Sequence, residues 1–170
     1  MAVLAAGEKM ILGVTPLTLV HVLLSLVGIL SGFLAIFGMM AGKRLDGMNA
    51  IFLTTTVLTS LTGFLFPITR VTPGIVIGAI SLLILAIALF ARYSKGMNGA
   101  WRTIYVVTAV IAQFFNVLVL IAQSFTKIPA LRAMAPTGEE SIVKIVQVSA
   151  LAVCIVLGVI AGKNFKPAGQ

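Results

Sequence analysis

Histidine, cysteine and acidic residues are nearly missing from this sequence, and each shortage excludes a kind of chemistry. The chain has one histidine, His21, one cysteine, Cys154, and four acidic residues. One histidine cannot supply both axial ligands of a bis-histidine haem, and one cysteine can form neither an intrachain disulfide nor a CxxC metal or redox pair. We therefore expect no cofactor and no metal site.

Charge as a whole is also scarce, and most of it is basic. Hydrophobic residues make up 60% of the 170 residues and charged residues 9%, whereas soluble domains are roughly 45–50% apolar. A soluble fold could not cover this much apolar surface, so the composition predicts an integral membrane protein. The net charge of +8 comes from Lys and Arg at the ends of apolar runs, where they anchor helices in a bilayer. Because no basic stripe is interleaved with aromatic residues, we expect no nucleic-acid partner.

Five apolar runs are long enough to cross a bilayer, whose hydrocarbon core of about 30 Å needs about 20 helical residues. Short connections that carry nearly all the charge separate these runs. The sequence therefore predicts an all-α fold, a polytopic transmembrane helix bundle that forms a single integral membrane domain over residues 1–170. The five predicted spans are residues 14–41, 49–67, 73–92, 102–125 and 142–162.

Basic residues are distributed unevenly between the two faces of such a bundle. The turn after the first span is basic, with Lys43 and Arg44, whereas Glu8 offsets Lys9 before that span. The positive-inside rule then favours an N-terminus outside and a C-terminus in the cytoplasm, and it places residues 124–141 outside. The cytoplasmic face would carry seven basic residues, Lys43, Arg44, Arg92, Lys95, Arg102, Lys163 and Lys166, and the outer face five, Lys9, Arg70, Lys127, Arg132 and Lys144.

Two short sequences occur twice, which suggests a weak internal repeat. Val-Thr-Pro stands at 14–16 and again at 71–73, and Gly-Met-Asn stands at 47–49 and again at 96–98. Two similar hairpins in parallel orientation, with the fifth helix as an addition, would explain both matches. Thr-Pro is also common at the start of any helix, because Thr caps it and Pro fits the first helical position. The triplets alone leave both explanations open.

Polar and small residues recur at helical spacing within the spans, as in His21, Ser25, Gly28 and Gly32 of the first. Helix packing explains such stripes, because small residues allow close approach in lipid and polar groups bond across the contact. Depth suggests a second explanation, since unpaired polar groups in hydrocarbon are costly and should face one another, water or a ligand. Six residues would share the outer half of the membrane and form a candidate pocket for the polar head of a lipid or quinone: His21, Thr59, Thr62, Asn116, Gln123 and Gln147.

The longest polar stretch, SFTKIPALRAMAPTGEES at residues 124–141, connects the last two predicted spans. Its segment Thr137–Glu140 fits a capping box, in which the Thr137 hydroxyl would bond the N3 amide and Glu140 would reach back to the N-cap. Its carboxylates would also complement the helix dipole, so capping explains them without catalysis. The stretch could instead roof the outer pocket with its four charged residues, Lys127, Arg132, Glu139 and Glu140.

Several classes of function can be weighed on these residues. An ion-coupled transporter normally carries an ionisable residue inside the membrane, and the four acids here are terminal or in loops. An enzyme would need an activated nucleophile, and His21 with Glu139 or Glu140 is the single acid–base set. The sequence favours a small non-catalytic integral membrane protein, either an accessory subunit of a larger complex or a binder of a lipid or quinone. Uncoupled passage of a small neutral solute and a membrane-embedded enzyme are the alternatives.

Two connecting segments, AGKRLDGMN and QSFTKIPALRAMAPTGEES, resemble the short turns of uncharacterised small multi-span proteins of the bacterial inner membrane. The resemblance implies a location in the bacterial inner (cytoplasmic) membrane and carries no assigned activity or site residue. The chain departs from relatives that have histidines near the first turn, since it has Asp46 and Gly47 there. The expected partners are membrane lipids, a quinone or other apolar ligand, and a larger membrane complex or a second copy of the chain.

Overall fold

The computed structural model describes residues 14–67 and 72–166, which fold into helices. Predictions that involve Glu8, Lys9, Arg70 or the positions of the two termini lie outside the described residues. The helices are α1 (Pro16–Met40), α2 (Asp46–Gly63), α3 (Pro73–Leu89), α4 (Ala100–Lys127), α5 (Pro129–Met134) and α6 (Ser141–Asn164), and a π-helical turn, Phe90–Ser94, extends α3. The prediction of an all-α fold is confirmed.

Four helices are long and apolar enough to cross a membrane: α1, α3 with its π-helical turn, α4 and α6. This finding fits an integral membrane protein. α2 is not among them, because Asp46, Asn49 and five threonines make its 18 residues more polar. The count of five spans and the parallel-hairpin repeat stay predictions.

α1 and α3 begin in the same way, and the cause is local. Thr15 and Thr72 are their N-caps, and each hydroxyl accepts the backbone N–H of the residue three positions on, at 3.3 and 3.4 Å. A proline follows each cap, as expected for the first helical position. The two Gly-Met-Asn triplets differ instead, since Asn49 is buried within α2 and Asn98 is exposed in the turn before α4. Helix-start chemistry therefore accounts for the Val-Thr-Pro match.

α4 is the central helix of the bundle. It contacts α1, α3, α5 and α6, while α1 packs against α2 and α6, and α2 packs against α3. The bundle has two ends, which we name for a residue at each. The His21 end holds the beginning of α1 and the end of α2, where His21 contacts Thr62. The Arg92 end holds the end of α1 and of α3 and the beginning of α2, where Arg92 contacts Asp46.

α6 is joined to the bundle by specific contacts at its two ends and by small buried residues between them. At the Arg92 end, the Asn164 amide donates to the Met40 carbonyl at 2.9 Å and Arg102 donates to the Phe165 carbonyl at 2.6 Å. At the His21 end, an apolar cluster built on Phe125, Ala135 and Val143 joins α4, the residue after α5, and α6. Between these ends, the buried residues of α6 are Cys154 and Ala161.

The segment before α6 corrects the predicted capping box. α6 begins at Ser141 with Glu140 at its N-cap, so Thr137 lies in the preceding turn and does not cap the helix. One half of the predicted pairing is present, because Glu140 Oε1 accepts from the Thr137 backbone N–H at 2.9 Å. The Thr137 hydroxyl also donates to Oε1 at 2.9 Å, in place of the predicted bond with the Glu140 amide. The short helix α5 was not predicted, and it begins at Pro129, which suits a first helical position.

Candidate functional site

Polar side chains from α1, α2 and α4 meet along one helix interface inside the bundle. Their alignment follows from helical spacing, because residues three and four apart on α2 share one face. We call this set the polar seam, and its members are His21 of α1, Thr56, Thr59 and Thr62 of α2, and Gln113 and Asn116 of α4.

At the His21 end, the seam begins with a histidine–threonine pair. His21 Nδ1 lies 2.9 Å from Thr62 Oγ1, and the Thr62 hydroxyl donates to the Thr59 carbonyl at 3.1 Å. Because the Thr62 proton is used in this way, the geometry favours His21 with its proton on Nδ1. The rings of Phe66 and His21 pack edge to face, with their centroids 5.2 Å apart. The Thr59 hydroxyl oxygen is buried and has no hydrogen-bond partner among the described residues.

In the middle of the bundle, two amides of α4 reach the neighbouring helices. Asn116 Nδ2 donates to Thr56 Oγ1 at 3.1 Å, and Gln113 Nε2 donates to the Ile29 carbonyl at 3.0 Å. Gln113 is fully buried, and its Oε1 has no hydrogen-bond partner within the described part of the chain. The close approach depends on Gly32, because a Cβ atom there would lie 2.0 Å from Gln113 Oε1.

The structure gathers four of the six residues predicted for the outer pocket. His21, Thr59, Thr62 and Asn116 belong to the polar seam. Gln123 is exposed near the end of α4, where its Oε1 accepts from the Thr126 hydroxyl at 3.4 Å. Gln147 is half-buried on α6. No hydrogen bond joins either glutamine to the other four within residues 14–67 and 72–166, so the seam is narrower than the predicted pocket.

The charged residues of the 124–141 segment stand apart from the seam. Lys127, Arg132 and Glu139 are exposed, and neither base forms an ion pair with an acid in the described residues. Hydrogen bonds from Thr137 hold the pKa of Glu140 below its ordinary value of 4.5. The backbone N–H of Thr137 has the largest effect, and its hydroxyl adds to it. The geometry thus assigns Glu140 a structural part in the turn before α6. An acid–base set with His21 has no contact to support it.

At the Arg92 end, the structure shows a polar cluster that sequence reasoning missed. The side chain of Arg92 is only 2% exposed, and its Nη2 donates to Asp46 Oδ1. Its guanidinium lies over the Tyr105 ring at 5.1 Å from the centroid, and the Tyr105 hydroxyl donates to Asn49 Oδ1. Arg92 Nη1 also contacts the Met97 sulfur at 3.7 Å. We call these five residues the Arg92 cluster.

Unusual backbone conformations surround the Arg92 cluster. Arg92 itself lies in the π-helical turn. Such turns are rare in proteins, and those that occur are often found at functional sites. Leu45, just before α2, and the fully buried Met97 are the non-glycine residues with positive φ in the described part, at 34° and 59°. The Asn49 amide stabilises the first of these by donating to the Leu45 carbonyl at 2.9 Å. Such strain persists where the surrounding contacts fix it.

Buried apolar side chains, Phe52 among them, separate the polar seam from the Arg92 cluster. Phe52 is fully buried on α2, one helical turn from Asn49 and one from Thr56. A Cβ atom at Gly32 would lie 2.8 Å from the Phe52 ring as well as 2.0 Å from Gln113 Oε1. The ring and the Gln113 amide therefore lie close together, and on α2 the next polar side chain towards the Arg92 end is that of Asn49.

Two surface depressions lie away from the seam. One of about 410 Å³ opens at the Arg92 end, between the last residues of α1 and α6, and is lined by Met40, Ala41, Gly42, Lys163, Asn164 and Lys166. Another of about 200 Å³ lies between α2 and α3 and is lined by Leu53, Thr54, Val57, Leu58 and Leu89. Neither contains a residue of the seam, whose side chains pack against one another.

Comparison of the sequence and fold with protein-family models, curated proteins and solved structures finds no match. Within the described residues, no group of three or more His, Cys, Asp and Glu side chains is placed to hold a metal ion. Any assignment of function therefore depends on the polar seam and the Arg92 cluster themselves.

Proposed function

We propose that this is a non-catalytic integral membrane protein that lets a small neutral solute pass along the α1–α2–α4 interface. The observation that carries the proposal is the position of two buried polar atoms of the seam that have no hydrogen-bond partner in the described residues, Thr59 Oγ1 and Gln113 Oε1. Thr59 lies near the His21 end of the interface and Gln113 in its middle.

The energetics of a membrane interior support this reading. A polar atom without a partner in hydrocarbon costs several kcal/mol, and no bulk water reaches the bilayer core to satisfy it. Helix packing alone is served by paired groups, such as Asn116 with Thr56. Buried polar atoms without partners at successive depths are better explained if small molecules, water or solute, bind to each of them in succession as they pass.

The chemistry of the lining favours neutral solutes. Between His21 and the Arg92 cluster, the seam offers hydroxyls and amides and no carboxylate, ammonium or guanidinium group. An ion or proton relay would need ionisable groups at such depths. In this proposal Phe52 is the main part of the closure, since its bulky ring lies beside Gln113 within the apolar core cluster, and passage requires the ring to move aside.

The proposal includes α2 as a fifth membrane crossing, with the N-terminus outside. Eighteen residues of helix are about 27 Å long, which is close to the hydrocarbon thickness. Two threonines of α2 bond to neighbouring helices, Thr56 to Asn116 of α4 and Thr62 to His21 of α1, so part of the polarity of α2 is turned away from lipid and its mean hydropathy underestimates its suitability for a membrane. Reporter fusions at Gly47 and Gly138 should locate to opposite sides of the membrane; a shared side would contradict the five-span arrangement.

Passage can be measured directly in proteoliposomes. We expect vesicles that contain the protein to take up urea or glycerol faster than protein-free vesicles in stopped-flow light scattering. Phe52→Ala should raise this permeability further, because it removes the ring between Gln113 and Asn49. Leu53→Ala is the matched control: Leu53 is equally buried on α2 but faces α3, so its truncation leaves a cavity off the seam.

The two variants separate passage from general damage. Both truncations lower stability, since buried Phe→Ala costs about 3–5 kcal/mol and Leu→Ala about 2–5 kcal/mol. Circular dichroism and thermal unfolding would show that each variant is folded in the vesicles. The proposal fails when the native protein adds nothing to vesicle permeability, or when Phe52→Ala and Leu53→Ala raise it equally.

The predicted binding of a lipid or quinone head is the second candidate, favoured by one feature of the His21 end. Thr59 Oγ1 lacks a partner there, between His21 and Asn116, and could donate to a quinone carbonyl or a lipid ester. Asn116→Leu should then weaken binding of decylubiquinone or a co-purifying lipid, while Gln123→Leu, outside the seam, should not. Equal binding by both variants and the native protein would remove this candidate. A bacterial inner-membrane location and a larger complex stay predictions.

A further inference from the structure

Arg92 is a buried cation with an incomplete set of partners. A guanidinium has five N–H donors. In this protein Nη2 donates to Asp46 and Nη1 meets the weakly accepting sulfur of Met97 at 3.7 Å. Arg92 Nε is buried and has no partner among the described residues. Unpaired N–H donors on a buried charge cost free energy. The Arg92 site is therefore better suited to an acceptor with more oxygen atoms than the single Asp46 oxygen that it now contacts.

Asp46 is a shared and exposed partner, which makes it replaceable. Its Oδ1 accepts from Arg92 and, at 2.8 Å, from Arg44 Nε. The Asp46 side chain is 64% exposed, whereas that of Arg92 is 2% exposed. Asp46 can therefore turn into water and keep its charge hydrated, but the guanidinium cannot follow it. The two arginines also leave one net positive charge around one carboxylate.

We propose that Arg92 binds the phosphate group of a ligand at the membrane surface, and that Asp46 occupies the phosphate position when the ligand is absent. A phosphate presents several oxygens, so it can accept from the Nη and Nε edge of the guanidinium together, which the single Asp46 oxygen does not. The incoming group meets a net positive site, since Arg44 stands on the same side as Asp46. This inference does not depend on solute passage along the seam.

The phosphate can come from a phospholipid headgroup or from a soluble phosphate, and the two sources are tested in separate titrations. Purified protein would be placed in phosphatidylcholine nanodiscs with rising fractions of phosphatidylglycerol. A parallel series would receive inorganic phosphate instead. Fluorescence of Trp101, the single tryptophan, would follow thermal unfolding in both. A saturable rise in unfolding temperature in one series identifies the source.

Asp46→Asn is the decisive variant, because it removes the internal competitor. We expect it to lower the half-saturating concentration of the ligand about fivefold, the factor that corresponds to one half-exposed ion pair. Gly47→Lys is the matched control: it also adds one positive charge at the adjacent exposed position, where nothing lies within 4 Å, but leaves Asp46 on Arg92.

The remaining variants decide between a specific site and general attraction. Lys43→Gln and Arg92→Gln remove the same charge, and only the second should abolish saturable binding. Because Arg92→Gln can fail to fold, a second variant combines Asp46→Asn with Arg92→Lys and keeps the positive charge. It should not show the lower half-saturating concentration expected for Asp46→Asn alone, since Lys lacks the planar fork of donors. Equal effects of Asp46→Asn and Gly47→Lys, or no saturable response in either series, would overturn the proposal.

Discussion

Gly32→Ala tests the contact on which the middle of the polar seam depends. The new Cβ would lie 2.0 Å from Gln113 Oε1 and 2.8 Å from the Phe52 ring, whereas ordinary contacts begin at 3.4 Å. Both neighbours are fully buried, so neither can swing into open space. The Gln113 side chain must move by more than an ångström, and its hydrogen bond to the Ile29 carbonyl is lost with that movement.

The expected cost follows from three terms. Overpacking a filled core costs typically about 1–3 kcal/mol, and a lost hydrogen bond between membrane helices costs on average about 0.6 kcal/mol. Replacing a helical glycine by alanine returns about 0.5–1 kcal/mol. We therefore expect Gly32→Ala to lower the free energy of unfolding by about 1–3 kcal/mol.

Gly162→Ala is the control for this measurement. Gly162 is also helical, in α6, and a Cβ there would have nothing within 4 Å, so this variant should gain up to about 0.5–1 kcal/mol. Reversible unfolding in mixed micelles, followed by Trp101 fluorescence, compares the two. If Gly32→Ala is as stable as Gly162→Ala, Gln113 does not lie against Gly32 and the α1–α4 packing described here is wrong.

Two further predictions concern the Arg92 cluster and the turn before α6. Tyr105→Phe should destabilise the protein by about 1 kcal/mol, because it removes the buried hydrogen bond to Asn49, whereas Tyr93→Phe, at an exposed position, should change little; chemical unfolding of both variants checks this. Glu140 has a lowered pKa, so its contribution to stability is present above pH 4.5 and is lost as the pH falls through the lower pKa of the folded state. Glu140→Gln should remove that acid-dependent loss in a thermal-unfolding series, Glu139→Gln should keep it, and the same pH profile for both would contradict the assignment.

The sequence predicted what depends on local chemistry. Long apolar runs and the Thr15 and Thr72 caps locate helices without knowledge of their neighbours, and the structure agrees with them. Membership of the seam was predictable for His21 and Asn116, because helical spacing puts them on inward faces. Gln123 is not a member of the seam, since it is exposed near the end of α4 and its Oε1 accepts from the Thr126 hydroxyl one turn on.

The Arg92 cluster could not be predicted in the same way. Arg92 and Asp46 are 46 residues apart, and Tyr105 and Asn49 are 56 apart. Each of the two charges fits the end of an apolar run, where a charge normally meets water and lipid headgroups. The buried Arg92 lies in the π-helical turn and contacts Met97, whose backbone is left-handed, and neither feature has a reliable sequence signal. The lone acid in the basic turn AGKRLDGMN was the available hint.

The attachment of α6 has a consequence for how the protein meets its surroundings. Asn164, Arg102 and the Phe125 cluster hold this helix at its extremities, and between them a narrow stripe of small residues, with Cys154 and Gly158, packs on α4. The rest of its middle is exposed, including Val148, Val153 and Val156. Of the four long apolar helices, α6 is the least covered by its neighbours, so in a bilayer this side of the bundle would offer acyl chains an apolar face nearly free of polar groups.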